Sequence, residues 1–123
     1  MRHCAVATPK KDTNVKILVI NPGSTSTKVA VYLDEKPALL RNIHHSPEQL
    51  EQYPELTDQY GFRKQLILDE LRAMNVSLNF DAIIARGGLA KPVAGGIYAV
   101  NEKMVTDTRK ALHKHACDLG CLI

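Results

Sequence analysis

Residues 15 to 33 read VKILVINPGSTSTKVAVYL, two apolar runs on either side of a loop of small, hydrogen-bonding residues. Val15 to Ile20 is apolar and β-branched almost throughout, which suits a strand buried on both faces, and Val29 to Leu33 repeats the signature. The two are expected to pair as central strands. The connector Asn21-Pro22-Gly23-Ser24-Thr25-Ser26-Thr27 is rich in turn formers and too polar to be buried unless its hydroxyls and backbone N–H groups find partners. An anionic oxygen is one such partner. Pro22 fixes φ and lacks an N–H, and Gly23 is free to take a positive φ, so a sharp bend is expected that turns the following amides toward one point. Ser24, Thr25 and Ser26 add hydroxyl donors, and amides and hydroxyls gathered in a concavity form a recurrent anion cradle. Lys28 places a compact positive charge just beyond it. Asn21, at the carboxyl end of the first strand, offers a neutral oxygen to a phosphate-bound Mg²⁺, directly or through a water. An ordinary hairpin turn has the same composition, so the loop alone leaves both readings open. The chain contains neither G-x-x-x-x-G-K-[ST] nor a G-x-G-x-x-G after a strand, which excludes a Walker loop and a dinucleotide fingerprint.

Working outward, Asp34-Glu35-Lys36-Pro37 is a polar turn, and Ala38 to His45 reads as a third strand with Leu39, Leu40 and Ile43 available to the core. His44 and His45, at its end, are expected to make surface or capping contacts. Ser46-Pro47-Glu48-Gln49 is a helix start, with Ser at the cap, Pro at the first helical position and Gln three residues on. Tyr60 to Met74 is the clearest helix: Phe62, Leu66, Ile67, Leu71 and Met74 share a face, with Arg63, Lys64, Asp69, Glu70 and Arg72 placed largely outside it. Phe80 to Ala85, containing Ile83 and Ile84, is a further buried strand, expected to lie parallel to one of the first sheet because a helical crossover precedes it.

Arg86 closes that strand and is followed by Gly87 and Gly88. A guanidinium at the carboxyl end of a strand in an open α/β sheet suits a carboxylate or phosphoryl group, which its planar fork binds bidentately. A surface salt bridge accounts for the pattern equally well. Leu89 to Tyr98, with Pro92 and the Gly95-Gly96 pair, reads as an irregular loop in which Lys91 is a secondary anion contact or merely solvated. Ile97 to Val100 reads as a short strand. Asn101 caps a helix beginning at Glu102, with Met104, Val105, Leu112, Ala116 and Leu119 on its apolar side. On that continuous helix His113, Cys117 and Cys121 share a face while His115 does not. Three ligands on one straight helix give poor tetrahedral geometry, so no zinc site is expected.

At 123 residues the chain suffices for one domain, burying roughly 65% of its unfolded surface. Its 45% apolar and 24% charged residues are those of an ordinary globular protein. The net charge of +3 lies wholly in residues 1 to 16, where Arg2, Lys10, Lys11 and Lys16 face Asp12, and the remaining charges cancel. That balance, with only six aromatics and no Trp, argues against a nucleic-acid partner. Three cysteines, an odd number, do not make a secreted disulfide framework. With no apolar run of membrane-spanning length and no secretion signal, a cytoplasmic setting without a membrane partner is expected. Residues 1 to 14 lack periodicity and read as a loose basic extension.

VKILVINPGSTSTKVAVY resembles the opening of the butyrate kinases, in the acetate and propionate kinase family of acyl kinases. The likeness continues in HHSPEQLEQYPELTDQYGFRKQLILDEL, in IIARGGLAKPVAGGIYAVNEKM and more loosely in HKHACDLGCLI. It implies the amino-terminal part of an actin-like or sugar-kinase-like ATPase domain, an α/β fold in β-β-β-α-β-α order with a mixed sheet and flanking helices, occupying residues 15 to 123. The implied activity is a phosphotransferase reaction, ATP plus a butyrate-like carboxylate giving ADP and an acyl phosphate, with Mg²⁺ as cofactor. In the family the arginine closing the strand that matches Arg86 contacts the acyl substrate and the transferring phosphoryl group. The turn residues Asn21, Gly23, Ser24, Thr25, Ser26 and Lys28 match its phosphate-binding hairpin. Family members are much longer two-domain proteins, so an amino-terminal fragment without the second domain is expected, inert alone or holding phosphate weakly. Chain-length preference and homo-oligomer formation are left open.

Overall fold

In the computed structural model, which describes residues 14–86, 94–110 and 116–123, the opening stretch folds as the antiparallel pair that its two apolar runs require. β1 (Lys16–Pro22) pairs with β2 (Ser26–Leu33), and β2 pairs with β3 (Lys36–His44) across a tight turn. Asp34 occupies that turn at φ 58°, a left-handed conformation that aspartate tolerates well, and its carboxylate accepts from the Val15 N–H at 2.9 Å. Asp81 accepts from the Lys16 N–H at 2.7 Å, so both sides of β1 are anchored where the strand begins.

α1 (Pro47–Glu51) opens with the full capping box: Gln49 N–H donates to the Ser46 hydroxyl at 3.2 Å, and Ser46 N–H donates to the Gln49 side-chain oxygen at 2.9 Å. Ser46→Ala removes one half of this exchange and is expected to lower stability by about 1 kcal/mol in urea denaturation. A 3₁₀ turn (Leu56–Asp58) leads into α2 (Gln59–Ala73). α2 ends in a Schellman arrangement, with Val76 N–H donating to Leu71 O at 2.9 Å, Asn75 N–H to Arg72 O at 3.0 Å, and Asn75 itself at φ 56°. β4 (Ala82–Ala85) then pairs parallel to β1, giving the sheet order β3-β2-β1-β4. The mixed four-stranded sheet and the element order are those expected from the sequence. α3 (Glu102–Arg109), capped by Asn101 through a 2.9 Å bond from Met104 N–H, and a closing 3₁₀ turn (Ala116–Cys121) complete the described chain. No described helix is long and apolar enough to cross a membrane.

Leu18, Ile20, Val29, Val31 and Leu39 project from one face of the sheet onto Ile67 and Leu71 of α2, and Ile123 packs against the same cluster. The other face is not sealed. Val19 and Ala30 are half-buried, and Leu40 is 59% exposed. The expectations of strands buried on both faces, of Leu40 in the core and of a buried fourth strand, whose Ile83 is 63% exposed, are therefore corrected. Strand alternation commits Leu39 inward and its neighbour outward, and α2 covers only the inward side. Ile97 to Val100 is not a strand either: it makes no ladder, and Ile97 and Val100 are 63% and 56% exposed. α3 stops at Arg109, so Ala116 and Leu119, both buried, belong to the separate 3₁₀ turn. Cys117 and Cys121 fall in that 3₁₀ turn and not in an α-helix, and among the described residues no three metal-ligating side chains gather. The readings placed on residues 1 to 13 and on Gly87, Gly88, Leu89, Lys91, Pro92, Leu112, His113 and His115 lie outside the described residues.

Candidate functional site

The β1–β2 connection is closed by pairing of Asn21 with Lys28 and of Pro22 with Thr27, and by Gly23 N–H donating to Ser26 O at 2.7 Å. Ser24 and Thr25 form its exposed tip. Their N–H groups and hydroxyls, and the Ser26 hydroxyl, take no partner among the described residues. Gly23 does not adopt a positive φ, contrary to the expectation for this bend. Its reason is proximity: a Cβ there would stand 3.3 Å from Ser26 O, tight against backbone that the turn bond holds in place.

Arg63, expected on the solvent side of α2, is fully buried beneath this turn. Its Nη1 donates to Ser26 O at 3.0 Å and to Thr27 Oγ1 at 3.1 Å, and its Nη2 reaches Ser24 O at 3.4 Å. Nε and Nη2 both donate to the Gln59 side-chain oxygen, at 3.1 and 2.9 Å. The buried stripe of α2 is Gln59, Arg63, Ile67 and Leu71, every fourth residue. Met74, assigned to the core from the sequence, is 42% exposed. The apolar half of the stripe meets the sheet and the polar half meets the turn carbonyls, which explains why a guanidinium lies where hydrophobic periodicity alone would not place one. A signal was present in the spacing, since Gln59 and Arg63 continue the Ile67–Leu71 row toward the amino terminus.

His45 extends the same buried group. Its Nε2 lies 2.8 Å from Thr27 Oγ1, its N–H donates to Thr25 O at 2.9 Å, and its ring meets Phe62 edge-on at 5.3 Å. Nδ1 is buried without a partner among the described residues. Burial, then the Arg63 charge, then His44 lower its pKa from 6.5 to about 4, so the imidazole is neutral at pH 7. The surface or capping role expected for His45 is thus replaced by an interior one, whereas His44 remains exposed.

Arg86 follows β4 where that strand runs beside β1. Its N–H donates to Ile20 O at 2.9 Å, which sets it next to Asn21 at the carboxyl ends of both strands. Its side chain is exposed and makes no ion pair among the described residues. Asn21 and Lys28 open onto the unsealed face of the sheet, where with Val19, Ala30, Leu40 and Asn42 they line a shallow groove of about 420 Å³. Ser26 has the same parity in β2 as Lys28, while the intervening Thr27 points to the core. The fold thus gathers Asn21, Gly23, Ser24, Thr25, Ser26, Lys28 and the backbone of Arg86 at one end of the sheet. The cluster offers free amides, hydroxyls and two exposed cationic side chains, a set of donors suited to an anion.

No family model matches the chain. It is 60% identical over 109 residues to a probable butyrate kinase of Bacteroides thetaiotaomicron and 50% identical over 109 residues to one of Phocaeicola vulgatus. It is 44% identical over 110 residues to butyrate kinase 1 of Clostridium acetobutylicum. These matches cover 88–89% of this chain, which spans about 31% of the length of each relative.

Proposed function

We propose that this chain carries the phosphate-handling part of a butyrate kinase-type phosphotransferase, in which ATP and a short-chain carboxylate give ADP and an acyl phosphate. The observation that supports it most is the unpartnered set of Ser24 and Thr25 amides and hydroxyls, in the turn at the same end of the sheet as Lys28 of β2 and Arg86, which follows β4. In the reaction a carboxylate oxygen bonds to the terminal phosphorus of ATP while the bridging P–O bond breaks, and the electron pair leaves on ADP. The carboxylate is ionised at neutral pH, so the site needs no general base. What it needs is alignment and charge neutralisation. The turn amides, Ser24, Thr25, Ser26 and Lys28 hold phosphate oxygens, and Arg86 holds the attacking carboxylate or the equatorial oxygens. The Asn21 side chain has no hydrogen-bond partner among the described residues, which fits a ligand to phosphate-bound Mg²⁺, direct or through a water, with the ion supplying further charge neutralisation. ATP as co-substrate and the odd cysteine count suit a cytoplasmic setting, and neither nucleic acid nor membrane enters this reading.

Titration of the chain with MgATP, followed by amide NMR, is expected to shift residues 21 to 28 and Arg86 before any others. Shifts spread evenly, or confined elsewhere, refute the assignment. A second reading, phosphate binding without turnover, is favoured by the unsealed sheet face with exposed Leu40. Hydroxylamine trapping of acyl phosphate in the presence of butyrate separates the two: hydroxamate forms only if the chain turns over.

A further inference from the structure

Arg63 is a fully buried cation whose five hydrogen bonds all end on neutral acceptors: the Ser24 and Ser26 carbonyls, Thr27 Oγ1 and, twice, the Gln59 side-chain oxygen. No carboxylate lies within ion-pair distance of it among the described residues. A charge removed from water without a counter-charge is costly, and hydrogen bonds to neutral groups offset only part of that cost. Ser26 O already accepts from Gly23 N–H at 2.7 Å, so the guanidinium occupies its remaining lone pair and holds that carbonyl turned inward. The Ser24 carbonyl shares a peptide plane with the Thr25 N–H, so drawing that carbonyl inward leaves the Thr25 amide at the tip pointing outward, away from the guanidinium.

We propose that Arg63 is a positioning residue of the anion site: from beneath the turn it holds the Ser24 and Ser26 carbonyls so that the Thr25 amide meets phosphate, and the bound phosphate supplies its missing counter-charge. The inference rests on the reading of the turn as a phosphate site and adds a residue that never touches the ligand. His45, which follows β3 and shares Thr27 Oγ1 with Arg63, stays neutral at pH 7, so Arg63 is the only cation of this buried group among the described residues.

The test is a titration with inorganic phosphate, read by amide NMR, of the unaltered chain and of Arg63→Met and Arg63→Lys. A unit charge acting across one peptide unit at an effective dielectric of about 20 predicts that Arg63→Met weakens phosphate binding at least ~10-fold. Arg63→Lys, which keeps the charge and loses the fork, is expected to restore part of it. In the unaltered chain the Arg63 Nε–H resonance, protected by burial, is expected to move in step with phosphate although no phosphate oxygen contacts it. Equal phosphate affinity in Arg63→Met, or a Nε–H resonance that stays fixed while the turn amides shift, overturns this inference and leaves the turn assignment standing. Turn amides of the unaltered chain that ignore phosphate overturn both. If Arg63→Met does not fold, the Nε–H resonance of the unaltered chain decides.

Discussion

Lowering the pH from 7 to about 4 is expected to remove about 3 kcal/mol of stability through His45 alone. The folded protein holds this imidazole neutral, with its pKa lowered from 6.5 to about 4 by burial first and the Arg63 charge second. The unfolded chain therefore binds more protons between those two values. The contribution is complete above about 6.5, declines as the pH falls toward about 4, and changes no further below that. Protonation would also set a second cation against Arg63 through their shared partner Thr27, whose hydroxyl lies 2.8 Å from one and 3.1 Å from the other. The measurement is urea unfolding across this range for the unaltered chain and for His45→Gln. The difference between the two curves should be steep from pH 6.5 to 4 and flat above. Parallel curves would show that His45 titrates alike in both states.

Gly120→Val is expected to cost about 2–3 kcal/mol and to disturb Arg86 at the same time. Gly120 is buried in the closing 3₁₀ turn, and a Cβ there would overlap the Arg86 carbonyl oxygen and stand 3.1 Å from the Ala85 Cβ. The obstacle is mostly backbone, which cannot rotate aside as a flexible side chain does, so either the turn or the end of β4 must move. Because Arg86 N–H is tied to Ile20 O, the displacement reaches the strand end that carries the candidate site. A lower urea midpoint together with shifted Arg86 and Asn21 amides is the expected result. An unchanged midpoint would mean that the turn does not press on β4. Gly120→Ala should show the same effect in smaller measure.

Much of the scaffold was legible because it follows from local rules. Apolar runs separated by turn formers set β1, β2 and β3, the Ser46–Gln49 spacing marked a helix start, and the helical crossover before Ile83-Ile84 marked the parallel strand. The turn residues of the site were legible for the same reason, as polar groups left without secondary-structure partners at a strand end. Arg63, Gly23 and Gly120 were not readable in the same way. Each owes its place to an atom distant in sequence or across a turn: the Ser26 carbonyl for the first two, and the Arg86 carbonyl for the third.

By itself, then, the sequence determined the order of elements, the location of the anion-suited turn and the arginine that follows β4, since periodicity, capping and turn chemistry act over a few residues. Tertiary structure alone decided that one face of the sheet is sealed by α2 while Leu40 stays exposed on the other, that His45 is interior, and that a guanidinium rather than an apolar side chain supports the turn. Burial and pKa depend on which surfaces meet, and residues far apart in the chain meet only once the fold has closed.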